Sequence, residues 1–333
     1  MKIAIVRLSA LGDIVHSMVV LQFIKKHYPD SVIDWVVEKR FQSILENNAH
    51  INEIHQVSLK SAKESKSIFL LLKELRKIRK LGKYDLVIDM QGLIKSALLA
   101  RMIHSDMTLG FDKDSLRESL AAIFYKRTYK IDYAENVIRR NLSLVSYALN
   151  FSVENESINR KEAFLYSSKE YVYGAISSTK KNILLIPGAS YSSKCYPKER
   201  FVELTRQIDA NYIIIWGSDS EKIIADEIKY HSHHVVVMDK LSLDALISLI
   251  NQVDLVIGAD TGPTHMAWAL NIPSITLFGP TPGHRNAYVT NVNKIIESNS
   301  EVNPNKIDKG DYSINNIKVN DISELAEKLL ELS

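Results

Sequence analysis

Four short segments place glycine, hydroxyl and charged residues at the end of an apolar run, where such residues can do chemistry. In residues 259–265 (ADTGPTH), Asp260 and Thr261 can each cap a following helix, and Gly262 lets a ligand approach the backbone. Freed amides and the helix dipole at that point suit a phosphate, with His265 in the first turn. A plainly capped helix with a buried histidine fits the same residues. In 187–194 (PGASYSSK), Gly188 ends an apolar run, Ser190, Ser192 and Ser193 offer hydroxyls, and Lys194 can neutralise a diphosphate; a structural turn is the alternative. The glycine–lysine spacing is not that of a Walker A loop. In 216–221 (WGSDSE), Glu221 can accept hydrogen bonds from ribose hydroxyls, or serve only as an acid favoured by a helix dipole. In 7–17 (RLSALGDIVHS), Asp13 can take a proton from an attacking hydroxyl, or cap the helix that begins there.

The elements around these segments alternate. IAIVRL (3–8), VIDWVV (32–37) and DLVIDM (85–90) read as buried strands, and Ile14, Val15, Met18, Val19 and Phe23 keep helical spacing. Residues 67–80 place Ile68, Leu71, Leu72, Leu75 and Ile78 on one helical stripe, with Lys73, Arg76, Lys77 and Lys80 largely off it. Gly92 opens a helix through SALLARMI. After a polar, irregular stretch at 151–181 the pattern restarts, with strands at 182–188, 211–217, 233–238, 254–260 and 272–279, the last clear one. Helices fall between them: one from Pro197 to about 208, then 219–229, 242–250 and 264–270. Ile322, Leu325, Leu329 and Leu332 share a face of a C-terminal helix with Asp321 as its expected N-cap. This is the signature of parallel α/β sheets in two domains. In such sheets ligands bind beyond the carboxyl ends of the strands, where all four segments lie.

The 333 residues are 46% hydrophobic and 24% charged, with a formal net charge of +3, so charge does not announce a nucleic-acid partner. The single cysteine, Cys195, excludes an intrachain disulfide and a cysteine-rich metal site. The opening MKIAIVRL is too short for a secretory signal and is interrupted by Arg7. No run of apolar residues is long enough to cross a bilayer, so a cytoplasmic location is expected. Basic residues concentrate locally. Lys60, Lys63, Lys66, Lys73, Arg76, Lys77, Arg79, Lys80 and Lys83 face only Glu64 and Glu74, and a weaker patch holds Lys113, Arg117, Lys126, Arg127 and Lys130. These are either solvated faces or a surface for an anionic partner such as phosphorylated lipid, acidic sugar or the inner leaflet. No GxGxxG follows the first strand, which counts against a dinucleotide oxidoreductase.

Taken in order, IVRLSALGDIVHS, YDLVIDMQGLIKSALLA (84–100), DLVIGADTGPTHMAWAL (254–270) and PSITLFGPT (273–281) resemble the ADP-heptose:lipopolysaccharide heptosyltransferases. The middle stretch and RESLAAIFY (117–125) resemble type I more than type II. The resemblance implies a GT-B fold of two facing Rossmann-like domains with parallel sheets and an interdomain cleft. The expected domains are an acceptor domain at 1–165 and a nucleotide-sugar domain at 166–320, followed by a helix at 321–333. It implies an inverting transfer of heptose from ADP-heptose to Kdo (3-deoxy-manno-octulosonic acid) of Kdo-lipid A, without metal or cofactor, by an enzyme peripheral to the anionic inner leaflet. Asp13 is then the general base. Ala189, Ser190, Lys194, Glu221, Leu241, Asp260, Thr261, Gly262 and His265 form the donor side. Ala189 stands where the family often has a hydroxyl, and Leu241 aligns with an adenine-side position. Asp260 would repel phosphate, so it either contacts heptose hydroxyls or holds its loop. Lys60, Lys63 and Arg117, drawn from the basic patches, are the acceptor-side expectations. The alternatives are type II or another lipopolysaccharide-core transferase, a nucleotide-sugar epimerase, and a non-catalytic lipid- or nucleotide-binding protein.

Overall fold

Continuous apolar runs make strands that must be covered on both faces, and this chain builds two sheets from them. The computed structural model describes residues 1–332, apart from the side chains of 62 and 63. The chain divides into two compact units, Met1–Phe164 and a second that begins at Leu165. The first holds β1 (Lys2–Val6), β2 (Val32–Glu38), β3 (Glu53–Val57), β4 (Tyr84–Asp89), β5 (Ser105–Phe111) and β6 (Arg127–Tyr129). The second holds β7 (Asn182–Ile186), β8 (Asn211–Ile214), β9 (Val235–Val237), β10 (Leu255–Ala259), β11 (Ser274–Phe278) and β12 (Asn293–Glu297). All pairings are parallel.

The strand orders are β3-β2-β1-β4-β5-β6 and β12-β11-β10-β7-β8-β9. Counted from each unit's first strand, both are the doubly wound order 3-2-1-4-5-6. The direction of winding reverses between β1 and β4 in the first unit and between β7 and β10 in the second. Register across these central pairs sets Val6 beside Asp89 and Ile186 beside Gly258. Ile3 to Val6 and Leu255 to Ile257 are wholly inaccessible to solvent, as strands covered by helices on both faces require.

Several elements differ from the sequence reading. Strands β3, β5, β6 and β12 were not anticipated. Three of them, β3 (EIHQV), β6 (RTY) and β12 (NKIIE), are sheet-edge strands whose partial burial dilutes the apolar signal, and β5 opens on polar residues. Asp321 is not an N-cap: the last helix, Val319–Leu330, starts earlier, and Asp321 lies in its first turn. Leu332 lies beyond that helix and is exposed, while Ile322 and Leu329 pack into the core. Pro197 is itself the N-cap of Lys198–Leu204, which ends before 208. The stripe on Ile68–Arg79 is docked only through its C-terminal half. Ile78 and Leu75 pack inward while Ile68, Leu71 and Leu72 stay in solvent.

The amino ends of the first sheet are tied by a buried polar cluster. Asp34 accepts hydrogen bonds from Tyr84 Oη (2.7 Å) and Asn52 Nδ2 (2.8 Å), and Lys2 Nζ lies 3.3 Å away. His55 Nε2 is 3.0 Å from Tyr84 Oη. Asp34, Glu53 and His55 hold potential metal-ligand atoms within 4.8 Å of one another, yet both Asp34 oxygens already have donors. The cluster therefore works as a clamp across β1, β2 and β4. Burial opposes the charge on Asp34, but its bonds from His55, Tyr84 and Asn52 and the charge of Lys2 outweigh it and hold the carboxyl well below the usual range.

A carboxyl depressed in the folded state contributes stability above its unfolded pKa and loses it as pH falls toward the folded value. Asp34→Ala should therefore cost about 3 kcal/mol at neutral pH by leaving buried donors unpaired. The gap from the parent chain should narrow below the ordinary aspartate value of 3.8, as urea unfolding across that range would reveal.

Candidate functional site

The second unit's switch point is built around one carboxylate. Asp260 follows β10 and is 8% exposed. Its Oδ2 accepts hydrogen bonds from Lys194 Nζ at 2.8 Å and Asn286 Nδ2 at 3.2 Å, and its Oδ1 lies 2.9 Å from His265 Nε2. Burial pushes the Asp260 pKa up, but Lys194's charge and the His265 bond prevail, and the carboxyl sits far below the usual range. The pair spans the switch point, because Lys194 lies in the loop after β7 and Asp260 in the loop after β10. Of the two roles the sequence left for Asp260, its bonds display the loop-holding one.

Lys194 keeps capacity beyond this pair. An ammonium has three donors, and the Asp260 bond takes one. Tyr191's ring lies 5.6 Å from Nζ, and burial together with Asp260's charge pushes the Tyr191 phenol up to about 12. Helix Gly262–Ala269 starts beside the lysine's partner, with Pro263 in its first turn. Thr261 is its N-cap residue but makes no side-chain cap bond, so the first-turn amides are not capped by it. Thr264 Oγ1 donates to Ala259 O at 2.9 Å and fastens the helix to the strand end.

Glu221 lies in the first turn of helix Asp219–His231, as one of the two sequence alternatives has it, and its carboxylate is fixed there. Its Oε2 accepts from the Gly217 amide at 2.7 Å and the Ser218 amide at 3.3 Å, while Ser218 Oγ accepts from the Glu221 amide at 3.4 Å. This is a capping box for helix Asp219–His231. The carboxylate lies over Gly188, where a β-carbon would come within 2.3 Å of Glu221 Cδ. Only glycine permits that approach, which brings the acid to the loop after β7. Ser190 is exposed on the same loop, whereas Ala189 packs against the core. Leu241 is half-buried just before helix Leu243–Ile250.

In the first unit, Asp13 lies in the first turn of helix Leu11–Met18 with its side chain 45% exposed. Its Oδ2 accepts from the Ala10 amide at 3.1 Å, and its Oδ1 lies 2.8 Å from Arg7 Nη2. Arg7 is buried at the end of β1 and donates through Nη1 to Met90 O at 2.5 Å, across the switch point to the end of β4. Gln91 reinforces the crossing by accepting from the Leu8 amide at 2.8 Å and donating to Ser9 Oγ at 3.3 Å. Asp89, fully buried, accepts from Tyr125 Oη at 2.8 Å and from the Gln91 amide at 2.8 Å; burial raises its pKa against these bonds. Asp13 therefore caps its helix with one oxygen and presents a guanidinium-anchored carboxylate with the other.

Among the acceptor-side expectations, Lys60 is exposed, its amide donates to Glu38 Oε1 at 3.0 Å, and its ammonium lies 3.4 Å from Glu64. Arg117 is exposed ahead of the turn Ser119–Phe124, on a separate element from Lys60. Lys63 lies outside the described residues as regards its side chain.

The model of glycosyltransferase family 9 (heptosyltransferase) matches residues 71–312. Lipopolysaccharide heptosyltransferase 1 of Campylobacter coli is 41% identical, over 99% of both chains. The chain belongs to the heptosyltransferases of glycosyltransferase family 9. A heptosyltransferase 1 from Pseudomonas aeruginosa is 29% identical over 86% of this chain and 81% of its own. Among solved structures, an Escherichia coli heptosyltransferase with ADP matches with a TM-score of 0.81 at 23% identity, covering 99% of this chain and 100% of that one. A family 9 glycosyltransferase from Veillonella parvula matches with a TM-score of 0.83 at 21% identity, covering 100% and 98%. These likenesses show the fold, a GT-B-like pair of parallel-sheet domains.

Asn286, Gln91 and Arg7 were given no role at this heptosyltransferase's switch points by the sequence. Asn286 stands 26 positions from Asp260, and only the fold brings it there. Arg7 was legible as a charge closing a buried strand six residues before Asp13. Its pairing follows from the turn that folds the helix back. The Lys194–Asp260 pair makes a stability prediction. Lys194→Met strands a buried carboxylate and should cost about 3 kcal/mol in denaturant unfolding, whereas Lys194→Met with Asp260→Leu should cost less than the sum of the two single changes.

Proposed function

We propose that this heptosyltransferase transfers heptose from ADP-heptose to the Kdo of Kdo-lipid A, by inverting displacement at the heptose anomeric carbon. The first unit holds the acceptor and the second the donor. Asp13 takes the proton of a Kdo hydroxyl as that oxygen bonds to the anomeric carbon, and the bond from that carbon to the diphosphate oxygen breaks on the opposite side. ADP leaves with the bonding pair. The charge it gains falls to Lys194, Ser190 and the amino end of helix Gly262–Ala269, which supply donors without a metal. Glu221 has Oε1 available for ribose hydroxyls, Leu241 lies on the adenine side, and Thr261, Gly262 and the backbone at Ala189 complete the donor loops. Asp260 and His265 act by holding Lys194 and the helix start in place.

The observation that carries this reading is the half-exposed Asp13 carboxylate, fixed by buried Arg7 at the first sheet's switch point. The likeness to heptosyltransferase 1 over nearly the whole chain supports type I as the class of acceptor. The solved relatives carrying ADP and ADP-2-deoxy-2-fluoro heptose support the donor. Lys60, Lys63 and Arg117 are the cations proposed to meet the acidic acceptor. No helix among the described residues is long and apolar enough to cross a membrane. In this reading the enzyme works from the cytoplasmic face, peripherally on the anionic inner leaflet.

Asp13→Asn keeps the shape and removes the base. It should lower kcat by about 10²–10⁴-fold while ADP-heptose affinity in calorimetry stays near the parent's; normal turnover by this variant would remove Asp13 from the mechanism. Mass spectrometry should detect heptose addition to Kdo-lipid A lacking heptose, with undiminished transfer in excess chelator. A requirement for an acceptor already bearing the first heptose would reassign the enzyme to type II. Conversion of ADP-heptose with no acceptor present would mark an epimerase.

A further inference from the structure

The helix Ile68–Arg79 leaves its most apolar stretch in water. Ile68 is 73% exposed, Phe69 69%, Leu72 46%, and Leu70 and Leu71 38% each. Single exposed apolar residues are ordinary, but five in succession on one helix end are not. The helix is fixed to its unit from the other end. Ile78 and Leu75 pack into the core, and buried Glu74 accepts from the Ser58 amide at 3.2 Å. Its amino end is set by Ser67, whose hydroxyl accepts from the Leu70 amide at 3.3 Å.

Polarity on the outer face changes along the axis. At about 100° per residue, Ile68, Leu72 and Phe69 share a side with Arg79, Arg76 and Lys80. Its amino-terminal part, from Ile68 to Leu72, is apolar and its carboxy-terminal part, from Arg76 to Lys80, is cationic, and exposed Lys60, Lys66 and Lys73 flank it. The neighbouring elements continue the theme. Helix Ile94–Met102 packs against this helix and against the turn Ser119–Phe124, where Leu120 and Ile123 are 63% and 73% exposed beside exposed Arg117.

We propose that this face is a membrane-docking wedge for an anionic bilayer. Ile68, Phe69 and Leu72 enter the boundary between headgroups and acyl chains, while Arg76, Arg79 and Lys80 remain at headgroup depth and pair with lipid phosphates. The run of cations behind the apolar tip selects an anionic bilayer over a protein groove, since an apolar surface alone would carry no such collar. This deepens the reading of a lipid-linked acceptor and rests on it: the wedge brings the enzyme to the plane in which that acceptor lies.

The test uses the full chain and acceptor-free vesicles, of phosphatidylcholine alone or with about 30 mol% phosphatidylglycerol. The parent chain should sediment with the anionic vesicles. The Ile68→Ser, Phe69→Ser, Leu72→Ser triple variant should bind them at least about tenfold more weakly. It should keep the parent's Tm and its transfer rate to a soluble, acyl-free Kdo acceptor. In a separate Phe69→Trp variant, vesicle binding should shift the new emission to the blue, and acyl-chain-brominated lipid should quench it. Undiminished vesicle binding by the triple variant would overturn the proposal, as would binding without quenching at position 69. A concentration-dependent dimer abolished by the triple variant would give the face to a second copy instead. Failure of the parent chain to use the soluble acceptor would count against the proposed reaction, not against the wedge.

Discussion

The second unit is organised by a buried ion pair that would be costly if either partner stood alone. Lys194 and Asp260 are each 8% exposed, and removing such charges from water is repaid only when the remaining donors and acceptors are also satisfied. His265 and Asn286 do that for Asp260, while the bond to Asp260 takes one of the three hydrogens of Lys194. The pair therefore holds a cation in a poorly hydrated place at the mouth of the sheet, with its counter-charge behind it. In the proposed reaction a diphosphate would meet there a cation whose position folding has already fixed.

The first unit repeats the device with the charges reversed. Its sheet has the same winding order, and its switch point is also spanned by a buried basic residue. There the buried member is Arg7, which ties the end of β1 to the end of β4 through Met90 O and steadies the exposed carboxylate of Asp13. One topology, used twice, thus yields a carboxylate that can accept a proton and an ammonium that can accept a leaving charge. Asp13 is set in the first turn of a helix and Lys194 in the short turn Ser192–Lys194, and each is fixed by an oppositely charged partner that follows a central strand.

Much of this was legible in the sequence, and the misses have physical causes. Buried central strands announce themselves because both faces must be apolar, so β1, β4, β7 and β10 and the loops after them could be located from residue types alone. Edge strands such as β12 bury less and carry polar residues, which hides them. The DTG–His spacing gave the helix start, but Asn286 reaches Asp260 only through the fold. Ser218 and Glu221 spell a capping box that was readable; the sequence reading had Glu221 as a first-turn acid or a ribose acceptor but did not draw its bonds back to the Gly217 and Ser218 amides. On Ile68–Arg79 the helical period was right, but periodicity reports an apolar stripe without saying what covers it, and Ile68, Leu71 and Leu72 stay exposed.

The sharpest test concerns Asp260. A carboxylate near a bound diphosphate should, by Coulomb repulsion alone, weaken binding, so Asp260→Asn would tighten ADP. If Asp260 instead holds Lys194 and the helix start in place, the same change lets the ammonium swing away and the loop loosen. Calorimetric titration of ADP into folded Asp260→Asn should then show affinity reduced by about tenfold or more, about 1.4 kcal/mol. Affinity equal to or greater than that of the parent chain would contradict this account of the switch point.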